Sequence, residues 1–287
     1  ESAALYRELG ASRIVLAREL SLPEIIDIKQ RVDVKLEVFV HGAMCVSYSG
    51  RCLLSHYMTG RSANSGACAH PCRYLYHVVE EKRPGQYYPL EEDERGSYIF
   101  NSRDLCLLEY VPQLIEAGID AFKIEGRMKS PLYVATVARA YSQALDCCIN
   151  NQRPFTDQEL QVWLAELRSV ATRPYTNGFI EGESASIQDI EKQEIPGRDD
   201  FCGVVKGYDG AKSMVEIEQR ANFGLGEPLQ FMLPDSNIID LQLKYLFDAE
   251  GNILDRARHP LQRVFIPFAQ PIPEHSILRR VGEKNAT

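Results

Sequence analysis

The chain has 287 residues, 45% of them apolar and 25% charged, with a formal net charge of −8 and a pI near 5.4. That suits a folded protein with room for two cores, and no apolar run approaches the ~18 residues of a membrane-spanning helix. The acidic balance argues against broad non-specific affinity for nucleic acid, which needs clustered Lys and Arg, while leaving room for a local basic face.

No secretory segment is visible at the start, so a cytoplasmic setting is expected. Residues 1–9 read as the end of a helix closed by Gly10, and the opening on Glu1 rather than Met inside that helical pattern raises the expectation of a fragment or a trimmed chain. RIVLAREL (13–20) is a buried-strand pattern. Ser21 is an N-cap with Glu24 three residues on, a capping box ahead of the helix EIIDIKQRV. KLEVFVHG (35–42) is the next strand, followed by a long loop rich in cysteine and glycine.

RYLYHVVEE reads as a strand, and KRPGQYYPLEEDERG carries turn chemistry. SYIFNSRDL (97–105) is a strand with a polar end, CLLEYVPQLIEAGI a helix closed by Gly118, and DAFKIEGR (120–127) another strand. A helix follows from Pro131 to Asn150. Strands alternating with helices predict α/β units, whose reactive groups gather at the carboxyl ends of the strands. Those ends hold Arg18 and Glu19, His41 to Cys45, Asn101 to Asp104, and Glu125 to Arg127. Four strands are too few for a closed eight-stranded barrel.

DQELQVWLAELRSV is a helix with Trp163 as a core or interface residue, and YTNGF with the polar stretch to Asp200 reads as a linker or docking segment. From Phe201 the runs FCGVVKGY, SMVEIEQR, EPLQFMLP, LQLKYLFD and RVFIPF predict a small antiparallel barrel. The expected divisions are therefore 1–150, 151–200 and 201–287.

Four of the eight cysteines lie in one loop: Cys45, six residues, Cys52, fifteen residues, Cys68, three residues, Cys72. Thiolates are soft ligands suited to iron–sulfur clusters, zinc or copper, so a metal centre is the leading reading of this spacing. Structural zinc usually brings a C-x2-C knuckle, which is absent here, and disulfides need an oxidising compartment. Cys106, Cys147, Cys148 and Cys202 read as inert apolar side chains.

The run Glu37, Phe39, Gly42, Ala43, Cys45, Ser49, Gly50, Cys52 and Ser55 resembles the signature of the collagenase-like peptidases, a family whose members include bacterial RNA hydroxylases. ARELSL (17–22), FNSRDL (100–105), KIEGRMKS (123–130) and YTNGF (175–179) extend the resemblance over nearly the whole chain. It implies a TIM-type (β/α) barrel entered midway, followed by a β-barrel of translation-factor type. It further implies a [4Fe–4S] cluster on Cys45, Cys52, Cys68 and Cys72, and prephenate-dependent formation of 5-hydroxyuridine at the wobble position of tRNA. Other members of similar cysteine content act on rRNA or on ubiquinone precursors, and some act as paired subunits.

Under that reading the anionic co-substrate needs cationic partners. Arg18 and Arg127 suit bidentate carboxylate pairing, with Lys129 adding charge, and the competing reading makes both arginines ion-pair partners of Glu19 and Glu125. Arg51, Arg61 and Arg73 fall in the same region. His41, grouped with Arg127 and Glu125 as the catalytic candidates, would shuttle protons or bond the base edge, and the competing reading is a satisfied rim histidine. Asn101 and Asp104 either hold a substrate hydroxyl or cap the helix that follows. Tyr48 and Tyr57 are candidates for stacking a splayed base of the tRNA anticodon region. The competing activity is peptide hydrolysis, with His41 and Cys45 as base and nucleophile, although neither an HExxH helix nor a G-x-S-x-G elbow is present.

Overall fold

A computed structural model describes residues 1–45, 47–74, 77–79, 82, 84, 87–89, 103–182 and 199–282. Asn101 and most of the strand expected over 97–105 lie outside the described residues. Two compact units result, Glu1–Gly126 with Arg173–Glu194, and Arg127–Thr172 with Ile195–Thr287. The helices after residue 130 thus fall in the same unit as the carboxy-terminal sheet.

In the first unit, α1 (Ser2–Glu8) ends ahead of Gly10 at φ 95°, and β1 (Arg13–Val15) follows. α2 (Leu22–Arg31) begins at the expected capping box, where the Ser21 N–H donates to Glu24 Oε2 at 2.8 Å. β2 (Lys35–Ala43) alternates exposed or half-buried residues with buried Leu36, Val38 and Val40, and beyond Val40 it is buried on both faces. α3 (Leu54–Thr59) lies in the cysteine loop, and β3 (His77–Val79) pairs antiparallel with β4 (Tyr87–Pro89). β5 (Asp104–Cys106) leads through a 3₁₀ turn into α4 (Val111–Glu116), then come β6 (Ala121–Glu125) and, after residue 173, β7 (Tyr175–Thr176).

β2 is the hub of this sheet. β1 and β6 run parallel to it, β5 runs antiparallel to it, and β7 runs parallel to β5. The described residues therefore form a mixed α/β unit with no closed barrel, since a TIM-type barrel needs parallel neighbours throughout. Three sequence expectations change. The strand expected over 13–20 stops at Val15, paired with Lys35–Glu37 of β2. The helix expected from Cys106 starts later, since Asp104–Cys106 are taken up by β2 and β7. YTNGF is not a free linker, because its first two residues are a strand.

In the second unit, α5 (Pro131–Leu145) is capped by Ser130, whose hydroxyl accepts the Tyr133 N–H, and it runs into a π-helical turn, Asp146–Asn150. α6 (Asp157–Ser169) follows a Thr156/Glu159 capping box. The strands are β8 (Asp200–Asp209), β9 (Met214–Gln219), β10 (Phe223–Gly224), β11 (Leu229–Met232), β12 (Ile238–Leu241), β13 (Arg256–Ala257), β14 (Arg263–Pro267) and β15 (Ile277–Arg280). Six form an antiparallel sheet in the order β12-β11-β15-β8-β9-β14, and β10 pairs with β13. The order is open, so the expected small barrel appears as an antiparallel sheet around a core of Cys202, Val205, Ile217, Phe231, Val264 and Leu278. LQLKYLFD, expected as a strand, contributes beyond Leu241 only an isolated bridge at Phe247.

Buried charge ties the helices to this sheet. Arg279, 3% exposed, donates to both Glu166 oxygens at 2.9 and 3.0 Å and lies 3.1 Å from Asp199. Burial pushes the Cys202 thiol up to about 12, which agrees with its reading as an inert apolar group. Among the described residues no helix is long and apolar enough to cross a membrane.

Candidate functional site

The carboxyl end of β2 is shaped by an irregularity. Phe39 pairs with Lys123 and His41 with Ile124, so Val40 is an extra residue opposite β6. Such bulges re-aim side chains and often sit next to functional sites. Just beyond it Gly42 has φ 105°, and a Cβ there would lie 2.2 Å from the Glu125 carbonyl oxygen. Only glycine allows the two strand ends to come this close. Gly42→Ala is expected to lose about 1–3 kcal/mol of stability from overpacking alone, with the positive φ adding to it. Urea denaturation reads this effect, and a loss under about 0.5 kcal/mol would show that the strands part easily.

The cysteine loop is held by a lattice of hydrogen bonds. Its start is tied to the turn between β1 and α2, because the Ser49 N–H donates to Glu19 Oε1 at 2.7 Å. Asn64 Oδ1 accepts the Cys52 N–H at 3.1 Å. Ser55, fully buried, donates to the Arg61 carbonyl at 2.7 Å and accepts the Ala69 N–H at 3.0 Å, joining α3 to the segment carrying Cys68. At the far end Arg73 reaches the Asp104 carboxylate at 2.7 Å and the Met44 carbonyl at 2.9 Å, which fastens the residue after Cys72 to β5. Ser55 and Arg73 are the structural keys that sequence reasoning missed. Ser55 stood in a motif without a task, and Arg73 counted only as one more cation.

Cys52 is buried, and Cys45, Cys68 and Cys72 are half-buried, all as free thiols. They lie within electrostatic reach of one another. Burial pushes the Cys72 thiol up to about 11, against the pull of Arg73, and Cys45, Cys68 and Cys52 add to the rise. The Cys45 thiol is raised in the same way, first by burial and then by Cys52 and Cys68, with Arg18 opposing. Among the described residues no group of three or more His, Cys, Asp or Glu side chains is arranged to hold a metal ion. The donor set is nevertheless four soft sulfurs on one loop, which fits the preference of an iron–sulfur cluster by ligand type and number. Binding one would require the sulfurs to be drawn inward.

Arg18 stands beside them. Its guanidinium carbon lies 3.7 Å from the Phe39 ring centroid, a cation–π stack. Among the described residues it makes no hydrogen bond or ion pair, although Glu125, Cys45 and Glu19 are near enough to favour its charge while burial lowers its pKa. A stacked, half-buried guanidinium with its donors uncommitted is a ready receptor for a carboxylate.

The other candidates are placed as follows. His41 is 1% exposed on β2, its ring 5.0 Å from that of Tyr175. Glu125 is half-buried at the end of β6. Asp104 is fully buried and engaged by Arg73. Arg127 and Lys129 fall at the start of the second unit, Arg127 exposed and Lys129 half-buried, bonded to the Thr172 hydroxyl with its Nζ 4.8 Å from the Tyr133 ring. The first unit thus gathers Arg18, His41, Glu125, Asp104 and the four cysteines.

Comparison with known proteins finds relatives that match most of the chain. A relative from Bacillus subtilis (strain 168), tRNA hydroxylation protein P1, is 37% identical over 276 residues, covering 96% of this chain and 65% of the relative. One from Escherichia coli (strain K12), tRNA hydroxylation protein P, is 32% identical over 311 residues, covering 93% and 67%. A Porphyromonas gingivalis protein named Collagenase is 34% identical over 184 residues, covering 60% of this chain and 43% of that protein. The chain thus spans about two thirds of the length of the first two. The model of peptidase family U32 matches residues 1–189, and that of the family's C-terminal domain matches 198–279. On these two consecutive matches, the chain belongs to peptidase family U32.

Proposed function

We propose that this chain is part of a tRNA hydroxylase that converts the wobble uridine to 5-hydroxyuridine, with prephenate as co-substrate and a [4Fe–4S] cluster on Cys45, Cys52, Cys68 and Cys72. The observation that carries the reading is the loop itself: four free thiols within 28 residues after the end of β2, with the Arg18 guanidinium, stacked on Phe39 and in no ion pair among the described residues, on the same unit. The two relatives named tRNA hydroxylation proteins, at 37% and 32% identity, supply the substrate.

Each residue has a physical task in this reading. Arg18 receives a carboxylate of the co-substrate, held flat by Phe39 so that little freedom is lost on binding. Glu19 and the Arg73–Asp104 pair hold the two ends of the cysteine loop. His41, shielded from water, holds or moves a proton at the end of β2. When bound, the cluster supplies electron transfer. The peptidase reading is less well served. A cysteine nucleophile is activated by a lowered pKa, whereas burial raises that of the Cys45 thiol.

The test is nucleoside analysis of tRNA from cells lacking the gene, complemented with wild type or with Cys72→Ala. Loss of 5-hydroxyuridine derivatives, restored by wild type alone, is the expected result. Unchanged tRNA in the deletion strain rejects this substrate.

A further inference from the structure

The stretch from Val38 to Val79 contains no Asp or Glu, yet it holds Arg51, Arg61 and Arg73 and four of the six histidines. At the chain's average of 40 acidic residues in 287, a stretch of this length would hold about six. A protein of net charge −8 has therefore cleared one segment of negative charge. That segment is the cysteine loop.

The outer face of the loop is as unusual as its charge. Tyr57 is 88% exposed, Tyr48 75% and Leu53 73%, against 54–56% for Tyr6, Tyr74 and Tyr245, the other exposed tyrosines among the described residues. Leu53, His56 and Tyr57 fall at i, i+3 and i+4 about α3, hence on one side of it, while buried Ser55 points inward. Tyr48 opens a tight turn in which the Arg51 N–H donates to the Tyr48 carbonyl at 3.0 Å, and Gly50 takes φ 76°. Arg51 and Arg61 flank this patch, exposed and in no ion pair among the described residues, whereas Arg73 is committed to Asp104. The hydrogen bonds through Glu19, Ser55 and Asn64 fix the backbone beneath, so the aromatic groups are displayed on a rigid support.

Exposed aromatic rings between uncommitted guanidinium groups on a surface free of carboxylates match one kind of partner. Unpaired bases stack on the rings, and the backbone phosphates meet the cations. We infer that the outer face of residues 48–61 docks a single-stranded RNA loop, with Tyr48 and Tyr57 stacking bases and Arg51 and Arg61 contacting phosphates. The inference rests on the tRNA reading above for its substrate class and adds the surface that grips the RNA, apart from the thiols and Arg18.

The experiment uses the full-length protein and a fluorescein-labelled anticodon stem-loop RNA, with affinity read by fluorescence anisotropy across a salt series. Tyr57→Ala is expected to weaken binding about tenfold or more. Arg51→Gln with Arg61→Gln is expected to lower the log–log salt slope by about 1.4, at ~0.7 per phosphate contact to a single strand. Iron content and thermal unfolding should be unchanged in both, because the altered side chains are exposed and outside the thiol set. Unchanged affinity and slope in these variants, with wild type binding the RNA, would overturn the docking surface and leave the hydroxylase reading standing. Absence of RNA binding by wild type, or binding of the patch to a protein partner instead, would also overturn it. Unchanged tRNA nucleosides in the deletion strain would strike the hydroxylase reading separately.

Discussion

Asp104→Ala is expected to destabilise the protein by about 3–5 kcal/mol, the cost typical of removing one partner from a buried ion pair. The Asp104 side chain is 0% exposed and that of Arg73 12% exposed, at 2.7 Å. Without the carboxylate, the Arg73 guanidinium stays out of water with, among the described residues, the Met44 carbonyl as its remaining acceptor. The pair is not a net stabiliser in the ordinary sense, because desolvation of both charges opposes their attraction. Its task is to fix position: it joins the end of the cysteine loop to β5. Urea denaturation of Asp104→Ala, Arg73→Met and the double variant measures this. The double variant should lose much less than the sum of the two singles, the mark of contacting residues. Additive losses, or a loss below about 1 kcal/mol for Asp104→Ala, would mean that the loop end is not held by this pair.

On the proposed function, Arg18→Met is expected to raise KM for the proposed co-substrate, prephenate, about 10- to 100-fold with kcat changed little. Hydrogen bonds to a charged group contribute about 1.5–3 kcal/mol, and each 1.4 kcal/mol is a factor of ten. Removal of binding common to ground and transition states appears in KM alone. Arg18→Lys should fall between the two, since it keeps the charge but loses the planar fork and much of the stacking on Phe39. Steady-state kinetics on an anticodon stem-loop substrate would separate these outcomes. An unchanged KM in Arg18→Met would move the carboxylate receptor elsewhere.

Much of the local structure was legible in the sequence, because it is set by short-range chemistry. The Ser21/Glu24 capping box, the β2 strand, Gly118 at the close of α4 and Pro131 at the start of α5 each follow from neighbours within a few residues. The cysteine loop was legible for the same reason, its thiols being concentrated in 28 residues from Cys45 to Cys72. What could not be read was pairing across distance. Nothing local marks Arg73 and Asp104, 31 residues apart, as partners, and Asp104 taken alone resembles a helix cap or a substrate contact. The antiparallel run of β5 against β2 was hidden in the same way, since alternating strand and helix patterns carry no direction. YTNGF looked like a linker because two strand residues before Asn-Gly give no periodicity. LQLKYLFD misled in the opposite sense: its apolar residues Leu243 and Leu246 are buried in the core without joining a ladder.

The account turns on what the four thiols hold, and composition answers this more directly than activity does. The full-length protein, purified anaerobically, should contain about four iron and about four acid-labile sulfide per chain. Cys52→Ala and Cys72→Ala should lower both at least about tenfold, whereas Cys202→Ala, buried in the carboxy-terminal core, should retain them. Iron without sulfide, zinc in its place, or full iron and sulfide in the Cys52 and Cys72 variants would contradict the assignment.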